Sequence, residues 1–277
     1  MVDRTKPSMF ANRSILITGA SSGLGAALAQ SLAAGGARLT LMARRGDRLA
    51  EVVAACEAVG GTAQAIEGDV TRVEDGQRLT SAAVDAYGQI DGLIANAGLS
   101  MWARFDEVED LGVFRRLMEV NYLGAVHCVH PALPYLKKSG GMFVAISSIQ
   151  ARIGVPNHTG YVASKHALQG FCDALRMEVA DDGVGILSVL LHWLRDTELR
   201  EHAFGADGEA VGASRRKHSS ESIGLEEACE KILAAMGRRE REIVLPWKLK
   251  ALLGVNLLRP QMAEALIRRA VGKQERH

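Results

Sequence analysis

The sequence has little of what would mark several common protein classes. It contains four cysteines in 277 residues, Cys56, Cys128, Cys172 and Cys229, with no C-x-x-C pair among them. That usage excludes a disulfide-framed small domain and a cysteine-built zinc site, and it fits buried thiols in a reducing compartment. An excess of one charge is also missing, since 33 Lys/Arg face 32 Asp/Glu for a net charge of +1. Bulk electrostatics therefore gives no reason to expect nucleic acid as a partner. No run of about 18 apolar residues occurs, and the short polar stretch from Met1 to Ala11 lacks the apolar core of a signal peptide. A soluble, cytoplasmic protein is expected. No repeat, low-complexity block or linker interrupts the chain, so residues 1–245 read as one domain followed by a tail, 246–277.

Apolar residues make up 48% of the chain, enough for a sizeable core, and their pattern alternates between two kinds of segment. Short apolar runs at 14–18, 38–43, 63–67, 90–95, 142–147, 185–191 and 241–245 read as buried strands. Longer stretches at 24–34, 45–59, 73–87, 111–138, 160–181 and 225–236 read as helices, the first two closed by Gly35-Gly36 and Gly60-Gly61. Such alternation predicts an α/β fold: a doubly wound parallel sheet, Rossmann-type, with helices on both faces. The ligand crevice is then expected at the carboxyl ends of the strands. Residues 195–222 are polar and weakly periodic, the signature of a lid or insert.

The first strand ends in Thr18-Gly19-Ala20-Ser21-Ser22-Gly23-Leu24-Gly25. Glycines between a strand and a helix let backbone approach a pyrophosphate, and the helix N-terminus offers it unpaired N–H donors. A glycine-rich turn also serves plain helix-on-strand packing; its place after the first strand favours the nucleotide. At the end of the second strand stand Arg44 and Arg45, with no carboxylate until Asp47. An acid there suits a ribose 2′-hydroxyl, whereas guanidinium groups suit a 2′-phosphate, so NADP(H) is the expected cofactor.

Tyr161 and Lys165 are four apart near the start of a long helix, hence on one face. A free phenol has a pKa of about 10, and a neighbouring ammonium favours its ionised form. Lowering that value by three units corresponds to about 4 kcal/mol, the tuning that a general acid–base tyrosine requires. Ser148, at a strand end, is placed to bond a carbonyl oxygen as negative charge develops on it.

Together these residues resemble the short-chain dehydrogenase/reductase family in its compact single-domain branch. The resemblance covers about 14–244 and includes the T-G-x-x-x-G-x-G turn, Asp69-Val70, Asn96-Ala97-Gly98, Asn121, Ser148, Tyr161 and Lys165. It implies an oxidoreductase that moves a hydride between nicotinamide and a carbonyl or secondary alcohol. By that resemblance Gly19, Ser21, Ser22, Gly23, Leu24 and Gly25 cradle phosphate, and Asp69 and Val70 hold the adenine. Asn96, Ala97 and Gly98 line the cleft, Tyr161 is the acid–base, and Lys165 lowers its pKa and bonds the nicotinamide ribose. Ser148 orients the carbonyl, and Asn121 anchors a water in a proton relay. A homodimer or homotetramer is implied as well.

One departure stands out. Where the family has Pro-Gly followed by a Thr on the carboxamide, this chain reads Leu191-His192-Trp193-Leu194-Arg195-Asp196-Thr197. Either Trp193 walls the substrate pocket, or nicotinamide binding is impaired and the chain is a catalytically weak NADP(H)-binding sensor or scaffold. His127 and His130 have metal-pair spacing but no third ligand nearby, so no metal is expected. His158, Trp102 and Phe105 are either pocket or packing residues. The tail carries seven Lys/Arg against two Glu and a stripe of Trp247, Leu249, Leu252, Leu253 and Leu257. Such a stripe packs on its own domain or a partner subunit, the favoured reading, or lies on an anionic membrane surface. The substrate is expected to be a fairly apolar small molecule.

Overall fold

The computed structural model describes residues 9–195, 197–212 and 222–275. Within them seven strands form one sheet: β1 (Ser14–Thr18), β2 (Arg38–Ala43), β3 (Thr62–Glu67), β4 (Gly92–Ala95), β5 (Met142–Ser148), β6 (Gly185–Leu191) and β7 (Glu242–Leu245). Their order is β3-β2-β1-β4-β5-β6-β7, and every neighbouring pair is parallel. The chain winds outward from β1 to β3, then returns to the other side of β1 with β4. That reversal leaves a crevice beyond the carboxyl ends of β1 and β4, where ligands bind in open α/β sheets.

Alternation along β1 shows how one strand feeds two layers. Ile15 and Ile17 point to a cluster with Leu28 and Leu32 of α1 (Gly23–Ala34), Leu49 of α2 (Gly46–Ala58) and Ile232 of α7 (Leu225–Gly237). Leu16 points the other way, to Leu79 of α3 (Val73–Tyr87), Leu136 of α5 (Gly124–Ser139) and Leu168 of α6 (Thr159–Glu178). Both faces are covered, which is why β1, β4, β5 and β6 are buried along nearly their whole length and do not alternate. Each fully buried Leu or Ile contributes about 1.5–3 kcal/mol of transfer free energy.

The helical stretch expected at 111–138 is present as α4 (Gly112–Met118) and α5, joined without a break by a π-turn at Glu119–Leu123. Single π-turns inside helices are rare and recur at functional sites.

The tail forms α8 (Lys250–Leu258) and α9 (Pro260–Glu275), with Pro260 at the first position of its helix, where its missing N–H costs nothing. Ala263, Ile267 and Val271, four apart, are buried, and Ile267 and Val271 pack against Ile149, Ile153, Leu190 and Val244. The expected packing of the tail on its own domain is therefore present. Among the described residues no helix is long and apolar enough to cross a membrane.

Candidate active site

The crevice is a cleft of about 810 Å³ lined from the β1–α1 turn to Tyr161, Lys165 and the segment after β6. At its floor the turn is built as the glycines require. Gly19 has φ +63°, and a Cβ on it would lie 2.8 Å from the Cα of Ala97. A Cβ on Gly25 would strike the Gly19 carbonyl oxygen and come within 2.6 Å of Asn96 Nδ2. Only glycine fits either position. Asn96 ties the turn to β4 by donating to the carbonyls of Thr18 (3.0 Å) and Gly19 (3.1 Å).

Arg45 crosses the mouth of this turn. Its Nη2 donates to Ser22 Oγ at 2.8 Å and Ser21 Oγ at 3.2 Å, while Nη1 lies 3.7 Å from Glu198. Arg48 reaches the same carboxylate at 3.4 Å. Arg44 is exposed and also lines the cleft. Asp69 is turned inward: its Oδ1 accepts from Thr71 N and Oγ1, and its own N–H donates to Asp75 at 2.8 Å. Val70, buried beside it, has its carbonyl 2.9 Å from His127 Nδ1. His127 is thus engaged with backbone.

Tyr161, Lys165 and Ser148 are brought together and are all buried. Lys165 Nζ donates to the Ile146 carbonyl at 3.0 Å and lies 5.7 Å from the centre of the Tyr161 ring. The helix spacing therefore does put both side chains in the crevice. Their electrostatics differ from expectation. Burial pushes the Tyr161 phenol up to about 12, opposed by a hydrogen bond with Ser148, and pushes the Lys165 ammonium down to about 8. Desolvation penalises both charged forms, and at Tyr161 it outweighs the Ser148 hydrogen bond. The expected lowering of the Tyr161 pKa by Lys165 is not what this arrangement produces.

The Ser148 hydroxyl donates to the Leu191 carbonyl at 3.1 Å and accepts from Gln150 N at 3.2 Å. Asn121 sits in the π-turn with both amide protons used: Nδ2 donates to Leu99 O and Ser164 Oγ, both at 2.9 Å, and Oδ1 accepts from Leu99 N at 2.8 Å. Ser164 in turn donates to the Tyr161 carbonyl at 2.8 Å. The Asn121 side chain ties the π-turn to α6, and a water anchored by that side chain would have no N–H left to accept from.

Three comparisons place this geometry among known proteins. The short chain dehydrogenase family profile matches residues 13–206. The chain is 35% identical over 198 residues to 11-beta-hydroxysteroid dehydrogenase 1A of Arabidopsis thaliana, covering 71% of this chain and 56% of that protein. It is 32% identical to the hydroxysteroid 11-beta-dehydrogenase 1-like protein of Xenopus tropicalis, over 96% of this chain and 90% of that one.

This chain belongs to the short-chain dehydrogenase family.

A family member from Burkholderia phymatum, solved in complex with NAD, superposes with a TM-score of 0.78 at 22% identity, over 91% of this chain and 95% of that one; it shares the fold. The chain spans little more than half the length of the Arabidopsis protein it matches.

The departure from the family pattern has a defined structure. Trp193 is not among the residues with positive φ, so the backbone there makes no demand for glycine. Its carbonyl accepts from Ile223 N at 3.1 Å, and its indole lines the cleft between His158 (6.0 Å) and the guanidinium of Arg200 (4.5 Å). The His158 ring is buried, 4.8 Å from that of Trp102 and 6.3 Å from that of Tyr161, whereas Phe105 is exposed. His192 donates its N–H to Leu245 O at 2.8 Å, and burial, then Arg200, push its imidazole down to about 4. Thr197 sits over the phosphate turn, its Cγ2 3.7 Å from where a Cβ on Gly23 would be. Asp196, and residues 213–221 of the expected lid, lie outside the described residues.

Glu198 and Arg200 had no signal in the sequence. They occupy a short 3-10 turn, Glu198–Arg200, in a segment without periodicity, and only the fold carries them to the cleft.

Proposed function

We propose that this chain is an NADP(H)-dependent reductase or dehydrogenase of carbonyls and secondary alcohols, with Tyr161 as the proton donor and acceptor. The observation that carries the reading is the burial of Tyr161 and Lys165 in one cleft with Ser148, below an arginine bonded to both serines of the phosphate turn. A turn that tolerates no Cβ at Gly19 or Gly25 suits a dinucleotide pyrophosphate. Arg45 and Arg44, with no acid among the first residues after β2, suit a 2′-phosphate. The Burkholderia neighbour was solved with NAD, so the preference for NADP(H) here rests on those arginines. Bound in the cleft, the nicotinamide supplies or takes up the hydride.

The chain's own residues handle the proton. With its pKa near 12 the Tyr161 phenol holds its proton at neutral pH, ready to give it to a carbonyl oxygen that turns into an alkoxide. Ser148 steadies the phenol, and Lys165 places a cation beside the phenolate as it forms. Gly98 passes within reach of both Lys165 and Asn121, so the Asn121 tie holds the cleft wall against the ammonium. Replacing Tyr161 by Phe should lower turnover by 10²–10⁴-fold, the range of general acid–base catalysis, with NADPH binding retained. Turnover of the variant at the wild-type rate rejects the assignment.

A second reading concerns the tail. We propose that α8 and α9, seated on the domain by one face, present the other to an anionic membrane surface. Leu257 and Leu258, at the end of α8, are 83% and 77% exposed, and Met262 and Leu266, four apart on α9, are exposed as well. Arg259 and Arg269 flank that row, both exposed. Apolar burial combined with attraction to anionic lipid is the chemistry of interfacial helices.

A further inference from the structure

The Trp193–Arg200 pair lies in the cleft, and the proton-transfer mechanism above does not use it. The guanidinium carbon of Arg200 stands 4.5 Å from the centre of the Trp193 indole, so the cation covers the ring face. Stacking uses the face of the guanidinium and leaves its N–H donors, which lie in its plane, to other partners. One of them, Nη2, is buried with no hydrogen-bond partner among the described residues. No carboxylate among those residues comes within ion-pair distance of Arg200, although Arg45 and Arg48 share Glu198 two positions earlier. Arg200 as a whole is half-buried, and a charged donor that is itself buried and unmet is unfavourable, so Nη2 is a place for an acceptor. The same cleft is lined by Tyr161, Ser148, Trp193 and Arg200, and the buried His158 ring lies 6.0 Å from that of Trp193 and 6.3 Å from that of Tyr161.

We propose that Arg200 is a specificity residue that receives an anionic oxygen group, a carboxylate or its equivalent, on the substrate whose carbonyl meets Tyr161. This rests on the function proposed above and names its substrate class: an oxo-acid or hydroxy-acid with an apolar body, a narrower class than the fairly apolar carbonyl or alcohol expected from sequence. The apolar body lies along Trp193, and the acid ends in the plane of the guanidinium, where two parallel N–H donors match two oxygens. Trp193, which replaces a glycine of the family pattern, is what holds Arg200 flat and oriented.

The test uses the full chain and a panel of oxo-acids, each paired with its methyl ester, with two readouts. Turnover with NADPH is one; quenching of tryptophan fluorescence by substrate, with and without cofactor, is the other. Wild type is expected to prefer acid over ester by at least tenfold in apparent affinity, Arg200→Gln to lose that preference, and Arg200→Lys to recover part of it. NADPH affinity should stay the same in all three. Equal treatment of acid and ester by wild type overturns the inference. So does an Arg200→Gln variant that loses NADPH affinity, because the anion served would then be a cofactor phosphate. Preferential binding of acids without any NADPH consumption supports the inference and instead rejects the oxidoreductase reading. Arg200→Lys also shows whether loss in the Gln variant stems from misfolding, since it keeps the charge.

Discussion

Lys165 donates its ammonium proton to the carbonyl of Ile146, 3.0 Å away, and this bond joins α6 to the end of β5. An amine held in that way cannot swing out to solvent, so its position beside Tyr161 is set by the sheet and not by the helix alone. The cost is a buried cation whose pKa falls to about 8 from an unfolded value of about 10.4.

That cost gives a stability prediction. The unfolded chain binds this proton more tightly than the folded one between about pH 8 and 10.4, so folding stability from this group rises with pH across that window. Below about pH 8 the penalty is present in full. Lys165→Met should therefore stabilise the fold at pH 7 by about 1–3 kcal/mol while abolishing turnover, the Ile146 bond being the offset. Denaturant unfolding at pH 7 and pH 9.5 checks it: the gain should shrink at the higher pH.

The pH dependence of catalysis should be one-sided. With Tyr161 near 12 the phenol stays protonated through the neutral range, so kcat/KM for carbonyl reduction should not fall between pH 6 and 7.5 through this group. Alcohol oxidation needs the phenolate and should rise about tenfold per pH unit over the same span. An oxidation rate that already levels off near pH 7 would show that the phenol is acidic in the free enzyme.

Glu198 pairs with Arg45, which bonds the serines of the phosphate turn, and with Arg48. A 2′-phosphate competes with that carboxylate, and exposed pairs of this kind contribute about 0–1 kcal/mol. Glu198→Gln should consequently tighten NADPH binding by up to roughly fivefold and leave NADH unchanged. Arg45→Ala should weaken NADPH by roughly tenfold or more, in line with loss of charge-assisted bonds. Fluorescence titration with both cofactors distinguishes these effects.

For the tail, substituting Leu257, Leu258, Met262 and Leu266 by Ser should remove co-sedimentation with phosphatidylserine vesicles and leave folding intact. The buried row of Ala263, Ile267 and Val271 is untouched by those changes. Vesicle binding that persists in the variant, or is absent from wild type, rejects membrane docking.

Much of the sheet was legible because its signal is local. β1, β2 and β6 fall within the apolar runs that announce them, and the glycine turn, Tyr161 and Lys165 lie where strand and helix patterns meet. The starts of β3 and β4 shifted by a residue or two, as element boundaries commonly do. The π-turn at Glu119–Leu123 left no trace in periodicity, because one extra residue in a helix barely moves an apolar stripe. Arg200 and Glu198 were silent for another reason: their partners, Trp193, Arg45 and Arg48, come from other segments.

By itself the sequence determined the winding of the sheet, the glycine cradle and the pairing of Tyr161 with Lys165. Each depends on spacing along the chain and on the preferences of single residues. Only the tertiary structure decided the charge states in the cleft, because these depend on how completely packing removes water around Tyr161 and Lys165. It also decided that Trp193 turns toward the cleft and is met there by Arg200, a contact that no spacing rule encodes.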